Sequence, residues 1–541
     1  MPSHQQTAAR ACDLIALAAL GAVTLVALLT FRDYGLSWDD YAHAEYGDLL
    51  LSFYTSGFAD KRALSFVNLY YYGGGFDLLA AALAKVLPLS VYETRRFLGA
   101  AVGILGLFVT WRIGRRIGGP FAGLLALVLL ATCPPFYGHM FINPKDSPFA
   151  TAMAILLLGL VRAFEQYPRP SAGTNVLAGV GFGLSFGSRI MGAFGAIAAL
   201  AAFVLTFAVE SRQLGIRPAA ARAGRFILML IPAVLLAYAA MALVWPWAVI
   251  NPFNPFRALE YFARFFEEPW DELFAGRLVS VPDMPRSYVP TLFALKLPVL
   301  FSLLAFLGSA GAIAAAFGRD VAAPRRAVHL VVVLAALLPL AVTIALRPAM
   351  YNGIRHFMFV LPPLAVLGGL AASYLLQVLV RGRVLQGIAP ALFALGIALP
   401  VVAMVRIHPF EYTYFNRLAG GVAGAQYRYM LDYWGLAFKQ ASQGLLEKLK
   451  GEAKPAGRRW KIAVCGPHRS PQVELGPDFE TTWDPRGADF AMMLGVFYCA
   501  KLDAPVIVDV ERADVPYAQV YDIRGRTFET LLTKPGLEPL K

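Results

Sequence analysis

The chain has 541 residues, of which 58% are hydrophobic and only 15% charged, with a mean hydropathy of +0.57. Soluble domains carry about 45–50% apolar and about 25% charged residues, so this little charge excludes a chain covered by water on all sides. The formal net charge is +13, yet Lys and Arg cluster in short segments between apolar runs (Arg112, Arg115, Arg116; Arg212, Arg217, Arg222, Arg225). That is the positive-inside pattern of cytoplasmic loops and not a nucleic-acid surface.

In chain order, the first apolar stretch follows Arg10 and runs from about Leu14 to Leu29. It is long for a signal-peptide core and meets Thr30-Phe31-Arg32-Asp33 with no small-x-small cleavage site, so it reads as an uncleaved membrane helix. The predicted spans are 12–30, 97–111, 120–136, 147–164, 174–190, 191–209, 225–246, 291–317, 327–346, 357–379 and 386–405. Gly and Pro within them are normal for membrane helices. A further stretch, 74–89, is short and holds Asp77 and Lys85, which makes it a poor spanner.

Charge sets the orientation. With the N-terminus in the cytoplasm and 74–89 at the interface, Arg112–Arg116, Arg162, Arg169, the 210–225 loop, Arg319, Arg325, Arg326, Arg381 and Arg383 all fall inside. The segments 31–96, 137–146, 247–290 and 347–356 fall outside, as does everything after 405. Counting 74–89 as a crossing would put Arg112–Arg116 on the wrong face, so the count is about 11 crossings. The outer segment 31–96 is rich in Tyr and Trp, which favour the headgroup layer, and short helices lying on the membrane are expected there.

After about residue 406 the composition turns polar, for example from Lys448 to Arg459. Short β-rich runs then follow at Lys461–Cys465, Phe490–Leu494, Val506–Val510 and Ala518–Ile523. The expected fold is an all-α polytopic membrane domain (1–405) followed by a small soluble α/β domain (406–541).

Trp38-Asp39-Asp40-Tyr41-x-His43 is the strongest local feature. Two adjacent acids where the chain leaves the bilayer are costly if buried unpaired. A carboxylate there can accept a proton from an attacking hydroxyl. The plainer reading is helix capping by one of the pair, and the two roles are compatible. A second cluster, His139-Met-Phe-Ile-Asn143-Pro144-Lys145-Asp146-Ser-Pro148, joins two spans on the same face. It reads as a site wall or as a turn with a surface ion pair. Arg189, Arg355 and His356 lie at outer ends of spans, where cations hold a lipid phosphate or simply snorkel. Trp245, Trp247, Trp270 and Tyr288 lie near acids including Glu267, Glu268, Asp271 and Glu272, an arrangement that suits sugar rings and equally an interfacial aromatic belt.

Of four cysteines, Cys12 and Cys133 read as packing residues, while Cys465 and Cys499 are either a disulfide or two buried thiols. No C-x-x-C, P-loop, dinucleotide fingerprint, HExxH or nucleophile elbow occurs; no metal cluster and no sugar-nucleotide site is indicated.

The chain resembles the GT-C glycosyltransferases over about residues 1–435, and within them glycosyltransferase family 39, which contains the protein O-mannosyltransferases, with the aminoarabinose lipid A transferases as relatives. The likeness is carried by Ser37-Trp38-Asp39-Asp40, His139–Pro148, Gly353-Ile-Arg355-His356-Phe-Met-Phe-Val-Leu-Pro362-Pro363, His408-Pro-Phe-Glu-Tyr412-x-Tyr414-Phe415-Asn416 and Leu431-Asp432-Tyr433-Trp434-Gly435. Where many relatives carry Lys-Pro-Pro or His-Pro-Pro, this chain reads Tyr72-Gly-Gly-Gly-Phe-Asp77.

The resemblance implies an inverting transfer of a monosaccharide from a polyprenyl-phosphate carrier to an envelope acceptor, at the periplasmic face of the inner membrane and without a cofactor. It places the catalytic acids on Asp39, with Asp40 as its neighbour, and on Asp146. Arg189, Arg355, His356 and Lys145 are the expected phosphate-binding cations. Tyr41, His43, His139, Asn143, Trp270 and Tyr288 are the expected substrate contacts. The rival readings are a transporter or lipid flippase, which predicts mid-bilayer charges and repeat symmetry, and a non-catalytic envelope scaffold.

Overall fold

The structure is a computed structural model describing residues 2–263, 270–379 and 385–531. The sequence-derived positions Glu267, Glu268, Arg381 and Arg383 lie outside the described residues.

The chain opens with α1 (Pro2–Thr30), α2 (Asp40–Thr55), the short α3 (Gly75–Ala84) and α4 (Val91–Ala131). A capping box starts α4: the Glu93 backbone N–H donates to the Ser90 hydroxyl, and the Ser90 N–H donates to the Glu93 carboxylate. Gly119, at φ 85°, interrupts α4 just before Pro120. The chain reverses there, because a Cβ on Gly123 would lie 2.7 Å from the Arg115 backbone nitrogen. Along one straight helix eight residues rise about 12 Å, so the two arms are antiparallel. Only glycine takes this φ without strain, and Pro120 restarts the helix where no N–H is needed.

The bundle continues with α5 (Pro134–Ile142), α6 (Asp146–Glu165), α7 (Ala172–Ser188), α8 (Ala193–Leu214), α9 (Ile216–Met229) and α10 (Ile231–Val244). Two short helices, α11 (Pro246–Ile250) and α12 (Asn254–Ala263), and an antiparallel hairpin of β1 (Asp271–Phe274) and β2 (Arg277–Ser280) form the next outer segment. Then come α13 (Tyr288–Lys296), α14 (Val299–Phe317), α15 (Ala323–Leu346), α16 (Leu361–Leu379) and α17 (Leu385–Ile407). Among the described residues nine helices are long and apolar enough to cross a membrane. The reversal inside α4 makes one of these two, and the shorter α7 packs by its glycines between α6 and α10. The predicted spans therefore fall mainly on helical segments, although 120–136 runs across the break between α4 and α5 and 291–317 takes in both α13 and α14, which part at Leu297-Pro298; 74–89 holds the short helix α3.

One expected outer loop looks different. Most of 137–146 belongs to α5, every residue of which is buried. Pro134 and Pro135 start the helix, and Phe136, Met140, Phe141 and Ile142 fill the core beneath it. The short periodicity was hidden because apolar residues cover the whole circumference.

Beyond the bundle lie α18 (Gly421–Ala425), α19 (Phe438–Lys448), β3 (Trp460–Cys465), α20 (Arg469–Leu475), β4 (Phe479–Thr482), β5 (Phe490–Leu494), β6 (Val506–Arg512) and β7 (Val515–Asp522). The strands form one mixed sheet in the order β4-β3-β5-β7-β6, with β3 parallel to both neighbours and β7 antiparallel to both of its own. The sheet begins only at Trp460. The preceding segment packs into the membrane domain, where the Asn416 amide donates to the Ala294 and Leu297 carbonyls. A disulfide joins Cys465, at the end of β3, to Cys499, after β5.

Candidate active site

A cavity of about 890 Å³ opens between one end of the bundle and the sheet domain. Its first wall is the start of α2. Asp39 lines the cavity, with its side chain 35% exposed, whereas Asp40 is 1% exposed and faces the core. Successive helical residues point about 100° apart, so the two carboxylates cannot serve one site. Asp40 accepts from Arg96 at 2.6 and 3.0 Å and from the Ser37 N–H at 2.7 Å. Asp39 is the N-cap residue of α2 but makes no side-chain capping bond. Its carboxylate pairs with the Lys145 ammonium at 3.3 Å. Burial opposes its charge, but Lys145, then His43 and Arg355, hold the carboxyl down to about 2.

The second wall is cationic. Asn143 organises its turn by accepting from the Lys145 and Asp146 N–H groups, and its amide donates to Asp146 at 2.8 Å. Asp146 is buried and holds Arg189 at 2.5 Å and Arg355 at 3.5 Å. Lys145 and Arg189 both lie over the Tyr72 ring at 5.4 Å. Arg355 lies over Tyr351 at 4.8 Å and Trp434 at 5.6 Å. Lys145 and Arg355 thus line the cavity beside Asp39, Asp271 and Glu272, while Arg189 and Asp146 pair behind this wall. His356 packs edge-on to Tyr351 behind this layer.

A chain of buried polar groups supports each wall. His43 lines the cavity, and its Nδ1 lies 2.7 Å from Asp77, which also accepts from Arg95 at 2.6 Å. Among the described residues the His43 Nε2 has no hydrogen-bond partner. On the opposite side, Glu272 accepts from the Tyr288 hydroxyl at 2.6 Å and the Asn352 N–H at 2.7 Å, and the Gly353 N–H donates to the Tyr288 oxygen at 3.0 Å. Asn352 and Gly353 take φ values of 57° and 71°, so this lock sets the turn that aims Arg355. Burial pushes the Glu272 carboxyl up to about 7.

The roof comes from the later chain. Tyr433, Trp434, Phe497 and Tyr498 line the cavity, with Trp270 standing edge-on to Tyr351. His139 sits beneath the roof, edge-on to Trp434 and Tyr412, with its Nε2 3.3 Å from the Tyr433 hydroxyl. Asp432 holds the roof turn by accepting from the Tyr412 hydroxyl and the Leu436 and Ala437 N–H groups. Tyr41 lines the floor and carries Arg469 of the sheet domain over its ring at 4.6 Å.

Of the expected site residues, Asp39, Tyr41, His43, Lys145, Trp270 and Arg355 line the cavity. Asp40, His139, Asn143, Asp146, Arg189, Tyr288 and His356 do not. Asp40 is turned away by its helix and held by Arg96, and Tyr288 is consumed by Glu272. Asp77, Arg95, Arg96, Glu272 and Tyr72 were not among the expected residues. Ionisable residues inside apolar helical stretches were the available signal for Asp77, Arg95 and Arg96. Among the described residues no group of three or more His, Cys, Asp or Glu side chains is placed to hold a metal.

A family model described as dolichyl-phosphate-mannose-protein mannosyltransferase matches residues 78–245, the part of the bundle that carries Arg95, Arg96, Lys145, Asp146 and Arg189. Over this stretch the chain is similar to the dolichyl-phosphate-mannose-protein mannosyltransferases, which are glycosyltransferases. Among solved structures it is similar to ArnT from Cupriavidus metallidurans bound to undecaprenyl phosphate, at 15% identity over 94% of this chain and 97% of that one, with a TM-score of 0.45. It is also similar to the Archaeoglobus fulgidus oligosaccharyltransferase in the apo form, at 14% identity over 88% of this chain and 65% of that one, with a TM-score of 0.45. No curated protein matches. The chain is a multi-pass membrane protein whose cavity lies where the bundle meets the sheet domain.

Proposed function

We propose that this protein is a GT-C glycosyltransferase that moves a monosaccharide from a polyprenyl-phosphate carrier to a hydroxyl of an envelope acceptor, with inversion, at the periplasmic face of the inner membrane. The observation that carries the reading is the Asp39–Lys145 pair in the wall of a cavity, also lined by Arg355, where the helical bundle meets the sheet domain. The description of the matching family, which names a dolichyl-phosphate sugar, supports a lipid phosphate donor.

The donor phosphodiester carries one negative charge. Lys145 and Arg355 bind it from the cavity wall, while Asp146 and Arg189 hold that wall in place. Once Lys145 turns to the phosphate, Asp39 loses its nearest cation and becomes a stronger base. The acceptor oxygen attacks the anomeric carbon, its proton passes to Asp39, and the bond from that carbon to the phosphate oxygen breaks. The leaving phosphate monoester gains a second negative charge, which the preorganised cations stabilise. The aromatic roof of Tyr433, Trp434, Phe497 and Tyr498 shapes the acceptor side.

The test is release of polyprenyl phosphate from a panel of polyprenyl-phosphate sugars by the purified chain in membranes with crude envelope acceptor. Turnover of one panel member names the sugar; no turnover of any member above a protein-free control contradicts the proposal.

A further inference from the structure

A second cavity, of about 820 Å³, lies between α14 and α17 and shares no lining residue with the catalytic cavity. That is within the range of about 300–1,000 Å³ typical of ligand sites. Its walls are apolar. Leu303 of α14 and Leu392, Leu395 and Val402 of α17 line it, and each is at least half exposed. The two helices meet at Gly396, where a Cβ would lie 2.5 Å from the Leu300 side chain.

The far end is polar. Arg406, one residue before the end of α17, Arg417 and Asp514 line it together. The three are exposed, and among the described residues none forms an ion pair with an acid or base within 4 Å. From Leu392 to Arg406 the helix rises about 21 Å, against a hydrocarbon core about 30 Å thick. The apolar stretch is therefore at bilayer depth, and the charged end lies where the last span leaves the membrane for the sheet domain. Asp514 is at the tip of the β6–β7 hairpin, so the soluble domain closes the polar end.

We infer that this groove binds a glycerophospholipid with a primary-amine headgroup. An acyl chain lies between α14 and α17, the phosphodiester meets Arg406 and Arg417, and the ammonium meets Asp514. The charge pattern selects this occupant: two cations suit the phosphate, and the acid beside them disfavours a headgroup that carries only negative charge. Phe415 lines the groove, with its ring 4.2 Å from the Lys296 ammonium of α13. The bound lipid thus fixes α17 and the sheet domain to the bundle without entering the reaction cavity. The inference does not rest on the proposed donor or acceptor.

The experiment is native mass spectrometry of the full chain released from nanodiscs made of equal parts phosphatidylethanolamine, phosphatidylglycerol and phosphatidylcholine. One phosphatidylethanolamine should remain bound per chain. Arg406→Ala with Arg417→Ala should lower its retention about tenfold, the loss of roughly one charge-assisted contact. Asp514→Asn should remove the preference over phosphatidylcholine. Leu395→Trp, which fills the groove and leaves the charges alone, should also displace the lipid and guards against misfolding of the double variant. No retained lipid, unchanged retention in Leu395→Trp, or a preference for phosphatidylglycerol would overturn the inference.

Discussion

The Lys145 ammonium stands 3.3 Å from the Asp39 carboxylate while lying over the Tyr72 ring at 5.4 Å. One side chain therefore touches both the candidate base and the aromatic surface shared with Arg189. In the proposed mechanism the pair restrains Asp39 until a phosphate competes for Lys145, which couples donor binding to activation of the base.

Removing Lys145 tests that coupling through pH. Asp39 is held to about 2 by its neighbours, so it should contribute no acid limb to the wild-type kcat/KM between pH 6 and about 4, because the base stays ionised there. In Lys145→Met the carboxyl rises toward or above the ordinary value of about 3.9. The acid limb should then enter the measurable range, with activity falling between about pH 6 and 4, and the donor KM should rise. An unchanged acid limb would separate Lys145 from Asp39.

The adjacent acids should part company on substitution. Asp40→Asn leaves the Arg96 guanidinium buried without its carboxylate, which costs about 3–5 kcal/mol of stability and should appear as a lower Tm in detergent. Changing Arg96 together with Asp40 to uncharged residues should recover part of that loss. Asp39→Asn should leave Tm nearly unchanged, since its partner Lys145 is partly exposed. Equal Tm losses in Asp39→Asn and Asp40→Asn would contradict the assignment.

Glu272 makes stability depend on pH in a defined direction. Burial raises its folded carboxyl to about 7, above the unfolded value of about 4.3. Its contribution is fully present below about pH 4 and is lost as pH rises through 7. Glu272→Gln should flatten this part of the Tm–pH curve. It should also raise the donor KM, because an amide cannot accept from both Tyr288 and the Asn352 N–H as the carboxylate does. A Tm–pH curve with the same slope in both proteins would contradict the role.

The Cys465–Cys499 disulfide ends the segment carrying Phe497 and Tyr498, which line the cavity. Closing a loop of this size contributes about 3–4 kcal/mol in the chain-entropy description. Cys465→Ser with Cys499→Ser should lower the Tm of the sheet domain and raise the acceptor KM several-fold, with donor binding unchanged. Steady-state kinetics with the donor saturating checks this, and an acceptor KM equal to wild type would show that the roof does not depend on the bond.

Much of the bundle was legible because bilayer thickness imposes a length on each apolar run, and β-branched alternation marked β3, β5, β6 and β7. The helix α5 was not legible, since its residues are apolar on every side and its burial depends on neighbours far along the chain. The strand β4, Phe-Glu-Thr-Thr, is short and polar and is stabilised by pairing with β3. In the site, Asp39 and Lys145 stood out as charges at a membrane boundary. The split between Asp39 and Asp40 was hidden, because which of two neighbours faces the cavity depends on where α2 begins and on Arg96, 56 residues away. Glu272 was visible only as one of several acids, and its lock on the Arg355 turn is a tertiary property.

The central claim is that Asp39 takes the proton from the acceptor hydroxyl. The direct measurement is the initial rate of polyprenyl phosphate release by wild type and Asp39→Asn, with donor binding measured in the same membranes. The account predicts that the variant binds donor at least as well as wild type, since Lys145 is freed, and releases product about 10²–10⁴-fold more slowly. Equal rates with equal donor binding would remove Asp39 from the mechanism.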